Sequence, residues 1–347
     1  MKSSIRPTSS AACSPGSTDI SDVPGPIDAE IADFIATVNA DWQRYPPLDT
    51  LSFPEARAVA EQVRRRWTEG GPVMAERRDV EIETNAGHVG VRIHRPAGVA
   101  ETGAPALLYL HGGGFVFFSL DTHDRLMREY AARGQFVVIG IDYPLSPEAR
   151  YPRALDQIVA LIGWIGVQGA TLGIDPARVA IGGDSAGANL ALAACLRLRD
   201  AEGNVPLRAI LSNYGAFSGA CSDAAEAAHG GRGAVLTQAE MVTFFDHYLA
   251  DPAQARDPYA CPLAASDLSG LPPICLIIPE RDVLTEQSLA IADRIRAADG
   301  TVTAMVYHGA THSFLEAMEI SALARAALQD GARWVAQHLQ LPPPSAR

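Results

Sequence analysis

Between residues 106 and 307 the chain repeats one pattern, a short aliphatic run followed by a segment with helical spacing of its apolar positions. The runs ALLYL (106–110), FVVIGI (136–141), RVAIGG (178–183), RAILSN (208–213), ICLIIP (274–279) and TVTAMVY (301–307) have strand length and no polar alternation. Helices are predicted near 121–133, 153–168, 187–200, 285–299 and 320–338. A strand that is apolar on both sides needs cover on both faces, and helices joining successive strands supply it when those strands run parallel. Ahead of this region Val80 and Ile82 alternate with polar residues, as do Val89, Val91 and Ile93 beyond the turn Asn85-Ala86-Gly87, which predicts a hairpin. The expected fold is α/β, a mostly parallel eight-stranded sheet flanked by helices. Ligands on such sheets gather at the carboxyl ends of the strands.

Two further helices precede the hairpin. Ile27, Ile31, Phe34, Ile35 and Val38 have helical spacing, predicting a helix over 28–40. Ser52, Pro54 and Glu55 form a helix-start signature, with Ser52 and Glu55 placed for a capping box, and that helix is expected to reach Trp67. Arg64, Arg65 and Arg66 are expected on its charged outer face. Between the strands at 208–213 and 274–279 lie about sixty residues with a helix near 237–250, too long for a simple crossover. This insertion and the N-terminal helices are expected to roof the sheet. The division is a loose tail over 1–25, cap segments over 26–75 and 214–262, and a catalytic core over 76–213 and 263–347.

The chain carries a net charge of −12, which argues against nucleic acid or an anionic membrane as partner. Cys13, Cys195, Cys221, Cys261 and Cys275 show no metal-site or disulfide spacing, and Cys195 and Cys275 read as core residues. The N-terminal stretch has no apolar signal-peptide core, and no window of eighteen residues is apolar throughout. A cytoplasmic setting is expected, with no metal or cofactor, and either a monomer or a homodimer fits.

Chemistry enters at Gly183-Asp184-Ser185-Ala186-Gly187, which joins the strand at 178–183 to the next helix. A tight strand-to-helix turn holds a serine hydroxyl clear of the backbone, within reach of a carbonyl carbon. After the strand at 106–110 come His111-Gly112-Gly113-Gly114-Phe115. Successive glycines cost backbone entropy, and acyl transfer gives a reason for them, because a tetrahedral oxyanion needs donors already in place. The N–H groups of Gly113, Gly114 and Ala186 can supply them, with His111 anchoring the loop and taking no part in proton transfer. A serine also needs a base. His312 follows the last strand, with His308, at that strand's end, as its rival. Asp282 follows the preceding strand and can orient the base, with Glu280 and Glu286 as weaker rivals. The order Ser185, Asp282, His312 is that of α/β-hydrolases.

HGGGF and GDSAG, together with DYPLSPEARYP (142–152), ERDVLTEQSLAIADRI and HGATHSF, resemble the hormone-sensitive-lipase family of α/β-hydrolases, and within it the bacterial acetyl esterase branch. The similarity runs from about Asp28 to Leu339. It implies the α/β-hydrolase fold with a helical cap, Ser185 as nucleophile, His312 as base, Asp282 as acid, and Gly113, Gly114 and Ala186 as oxyanion hole. It also implies cis peptide bonds before Pro147 and Pro152. Val283 and Thr285 depart from the family pattern and leave the hydrogen bonding of the acid open. The expected function is a serine carboxylesterase for small esters with acetyl to butyryl groups. An amidase or lactonase using the same machinery, or a non-catalytic binding protein of the same fold, are the alternatives.

Overall fold

The computed structural model describes residues 25–340, Arg232 excepted. The expected tail, apart from Gly25, and Cys13 lie outside the described residues. The strands are β1 (Met74–Thr84), β2 (Gly87–Pro96), β3 (Ala104–Leu110), β4 (Val137–Asp142), β5 (Ile174–Asp184), β6 (Ile210–Asn213), β7 (Ile274–Arg281) and β8 (Val302–Thr311). They form one sheet in the order β1-β2-β4-β3-β5-β6-β7-β8. β2 is antiparallel to both of its neighbours, and the other pairs are parallel.

The helices are α1 (Ala29–Trp42), α2 (Phe53–Thr68), α3 (Asp124–Gly134), α4 (Arg153–Gln168), α5 (Ala186–Glu202), α6 (Asp223–His229), α7 (Gln238–Tyr248), α8 (Thr285–Ala297) and α9 (Ala322–Gln340). The sheet is buried on both faces. In β3, Ala106, Leu108 and Leu110 join the core under α4, α5 and α8, while Leu107 and Tyr109 join the core under α3 and α9. That explains the unbroken apolar runs, since neither side of the strand meets water. Segment 153–172, α4 with the turn after it, is long and apolar enough by composition to cross a membrane. Its Leu155, Ile158, Leu161, Ile162 and Ile165 are buried against the sheet, as in a core helix.

Helix starts follow their caps. The Asp28 carboxylate accepts from the N–H groups of Glu30 and Ile31 at 3.0 and 3.1 Å, and Glu55 accepts from the Ser52 N–H at 3.0 Å. Three expectations needed revision. Helix α6 was not foreseen, because DAAEAAH buries only Ala225 and so shows no apolar stripe. β8 continues to Thr311, held by pairing beyond an irregularity in β7, which places His308 inside the strand and not at its end. Arg64 is buried, unlike its neighbours Arg65 and Arg66. Both peptide bonds before Pro147 and Pro152 are cis, and Cys195, Cys221, Cys261 and Cys275 are buried free thiols.

Candidate active site

Ser185 stands between β5 and α5 with φ 53° and ψ −116°. A non-glycine residue in such a conformation costs about 1–3 kcal/mol and persists only where its surroundings enforce it. Here three backbone hydrogen bonds do so: the Ser185 N–H donates to Asn213 O at 2.9 Å, and its carbonyl accepts from Asn189 and Ala216, both at 3.2 Å. A Cβ on Gly183 would lie 2.4 Å from the Leu110 carbonyl oxygen, and one on Gly187 would lie 2.0 Å from it. Glycine on both sides therefore lets the turn press against the end of β3 while the serine side chain points away.

His312 is the first residue past β8. Its Nε2 lies 3.1 Å from Ser185 Oγ, and its Nδ1 lies 2.7 Å from Asp282 Oδ2. The second Asp282 oxygen accepts from the Leu284 N–H at 3.0 Å, which answers the question raised by Val283 and Thr285. Tyr214 packs edge-on against the His312 ring at 5.0 Å. Burial would depress the His312 pKa, but the charge and hydrogen bond of Asp282 outweigh it and hold the imidazole above its ordinary value. The neutral ring is thus placed to take the serine proton, and the resulting cation is stabilised.

The rivals pair with one another. His308 Nδ1 lies 2.8 Å from Glu280 Oε1, and the Gly309 N–H donates to Glu280 Oε2 at 2.9 Å. The His308 side chain is 62% exposed, and β8, which carries it, is the edge strand of the sheet. Glu286 accepts from Ser222 instead.

Gly113 and Gly114 have φ values of 109° and 61°. A Cβ at Gly113 would lie 2.2 Å from the Phe117 carbonyl oxygen, and one at Gly114 would enter the Phe244 ring. Their N–H groups donate to no acceptor among the described residues, and that of Ala186, opening α5, has no partner within its helix. His111 is fully buried, stacked on Tyr143 at 4.4 Å, and donates from Nδ1 to Gly112 O at 2.7 Å. Burial and the neighbouring His123 push its pKa down to about 3, so it is neutral.

These groups floor a cavity of about 470 Å³ that is lined by Ser185, His312, Gly113, Gly114 and Ala186. Its walls come from both expected cap segments, Trp42, Tyr45 and Leu48 from one, Leu236, Met241 and Phe244 from the other. Residues 107–316 match the sequence profile of the alpha/beta hydrolase fold family, more than half of the chain. The chain belongs to that family.

Solved structures similar to this alpha/beta hydrolase include an ester hydrolase from the metagenome of Lake Arreo, bound to a bipyridine phosphonate derivative. It is 30% identical with TM-score 0.84, covering 90% of this chain and 99% of that one. A thermostable esterase from Pseudomonas putida is 30% identical with TM-score 0.85, covering 91% and 99%. An esterase from Pyrobaculum calidifontis is 26% identical with TM-score 0.80, covering 90% and 99%.

The hydrolase also contains charged pairs that sequence reasoning missed. Beside the serine, Asp184 accepts from Tyr109 Oη at 3.0 Å and lies 3.2 Å from His123 Nε2. Burial would raise the Asp184 pKa, yet His123 outweighs it and keeps the carboxyl below its usual range. On the cavity wall Arg64 of α2 meets Glu316, Nε to Oε2 at 2.7 Å, with both side chains under 10% exposed. Nothing local marks these residues. Arg64 is the first of three successive arginines on one helix, and Glu316 lies in a short turn after His312.

Proposed function

We propose that this protein is a serine carboxylesterase that hydrolyses small esters with acetyl to butyryl groups, of the acetyl esterase kind. The reading rests on one observation above all, the line Asp282–His312–Ser185, with contacts of 2.7 and 3.1 Å, opening onto a cavity walled mostly by apolar side chains. Ser185 Oγ attacks the ester carbonyl as His312 Nε2 takes its proton, and the oxyanion is received by the N–H groups of Gly113, Gly114 and Ala186. His312 then protonates the departing alcohol. In the second half it removes a proton from water as the water oxygen attacks the acyl-serine, then returns that proton to Ser185 Oγ as the acyl–oxygen bond breaks and the acid leaves. Segments 26–75 and 214–262 act as the cap. The buried free thiols at Cys195, Cys221, Cys261 and Cys275 suit a reducing, cytoplasmic setting.

A hydrolysis panel of p-nitrophenyl esters, amides, lactones and triglycerides tests the reading, with esters expected to be cleaved fastest. Along the acyl series each methylene buried in free space gains about 0.8 kcal/mol, whereas one forced into a filled site costs about 1–3 kcal/mol. With cap residues on both walls, kcat/KM is expected to peak between acetyl and butyryl and to fall beyond. Values still rising at decanoyl, or a jump at the oil–water interface, would indicate a lipase.

The oxyanion loop gives a second check. Gly113→Ala places a methyl group against the Phe117 carbonyl and strains a positive φ. It is expected to lower kcat about 10²–10³-fold with a smaller change in KM, as for a lost oxyanion donor. Steady-state kinetics decide it, since a change confined to KM would limit the loop to binding.

A further inference from the structure

The Arg64–Glu316 pair is out of character with its surroundings. It lies in the wall of a cavity whose lining is mostly aromatic and aliphatic, and Phe118 packs under the guanidinium at 5.0 Å from the ring centroid. Although Nε stands 2.7 Å from the Glu316 carboxylate, the approach is poorly aligned. Nε and Nη1 are both buried without a hydrogen-bond partner. A buried guanidinium with donors to spare is costly, and an apolar pair of the same volume would serve packing as well or better. The pair also lines the same cavity as Ser185 and His312.

We propose that Arg64 and Glu316 form a polar subsite for a neutral hydroxyl group carried by the ester substrate, either on its acyl or on its alcohol arm. This rests on the esterase reading above. A hydroxyl oxygen accepts from the part of the Arg64 guanidinium that reaches the cavity while its proton is donated to Glu316, so a single group meets both partners. A carboxylate would not, because Glu316 already neutralises Arg64, and Asp184 and Glu240 add further negative charge to the cavity lining. A purely apolar arm offers no hydrogen bond to the part of the pair that reaches the cavity. The substrate class is therefore a small ester of a hydroxy acid or of a polyol.

The test reads binding without turnover, by calorimetry on Ser185→Ala protein. Methyl 3-hydroxybutanoate against methyl 3-methylbutanoate probes the acyl arm, and 4-hydroxybutyl acetate against pentyl acetate probes the alcohol arm. The hydroxyl ester of one pair is expected to bind on the order of 10–100-fold tighter than its methyl counterpart, the range for a hydrogen bond to a charged group. Adding Arg64→Met with Glu316→Leu should abolish that preference. Should that combination fail to fold by circular dichroism, Glu316→Gln, which keeps the shape and removes the charge, should reduce it. Preference for the methyl ester in both pairs, or a ratio unmoved by these substitutions, would overturn the subsite. Failure of the unsubstituted protein to hydrolyse any of the four esters would count against the esterase reading, and the binding ratios would still decide the subsite.

Discussion

Ser185→Ala is expected to reduce turnover by on the order of 10⁶, about 8 kcal/mol of transition-state stabilisation, while the fold is kept. The side chain is small, and its hydroxyl is hydrogen-bonded within the protein to His312 Nε2. The three backbone bonds that hold φ at 53° do not involve the hydroxyl, so alanine is held in the same turn. Thermal unfolding of the variant should therefore stay close to that of the unsubstituted protein. An organophosphate should label Ser185 and no other serine. Near-full activity in the alanine variant, or label found elsewhere by peptide mass spectrometry, would displace Ser185 as nucleophile.

The second large effect is at Asp282. Asp282→Asn removes the charge that offsets burial of His312, and it offers an amide where the imidazole N–H needs an acceptor. By analogy with the wrong-tautomer variant of a serine protease triad, kcat should fall roughly 10³–10⁴-fold. A pH profile separates this from a general loss of structure. Catalysis needs the neutral imidazole, so activity falls as pH drops through the His312 pKa. In the unsubstituted protein that limb should lie above the ordinary histidine value of 6.5. Without the Asp282 charge, burial prevails and the limb of the residual activity should move to lower pH. Stability runs in the opposite sense. A raised folded-state pKa means that protonated His312 adds stability at pH below the unfolded value, and this is lost as pH rises through the folded value. A greater loss from Glu280→Gln than from Asp282→Asn would move the acid to the other pair. That outcome is disfavoured by the 62% exposure of its partner His308.

Much of the molecule was legible because its signals are local. The apolar runs behind β3, β4, β5 and β7 report burial on both faces of a sheet, which depends on side-chain composition over a few residues. The capping box of Ser52 and Glu55 is decided within one helical turn. The turn around Ser185 and the glycines after β3 stand out because few residue types tolerate those backbone angles and close approaches. Where local periodicity is weak, as in α6, the same reading fails.

What composition and spacing, apart from the family resemblance, left open was partnership across long separations. His308 and His312 are equivalent by composition, as are Glu280 and Asp282. Their sorting into two pairs depends on how far β8 extends and on the register it keeps with β7. Arg64 reads as one of three arginines on a solvated helix face. It is turned inward because α2 packs over the cavity, where Glu316, more than two hundred residues away, brings a carboxylate to it. By itself the sequence determined the sheet, its helical cover and the backbone that presents a serine beside free N–H groups, since each depends on short-range sterics and burial. Which charges face that serine was decided only by the tertiary structure, because the energy of a buried charge depends on the partner that the fold brings within a few ångströms.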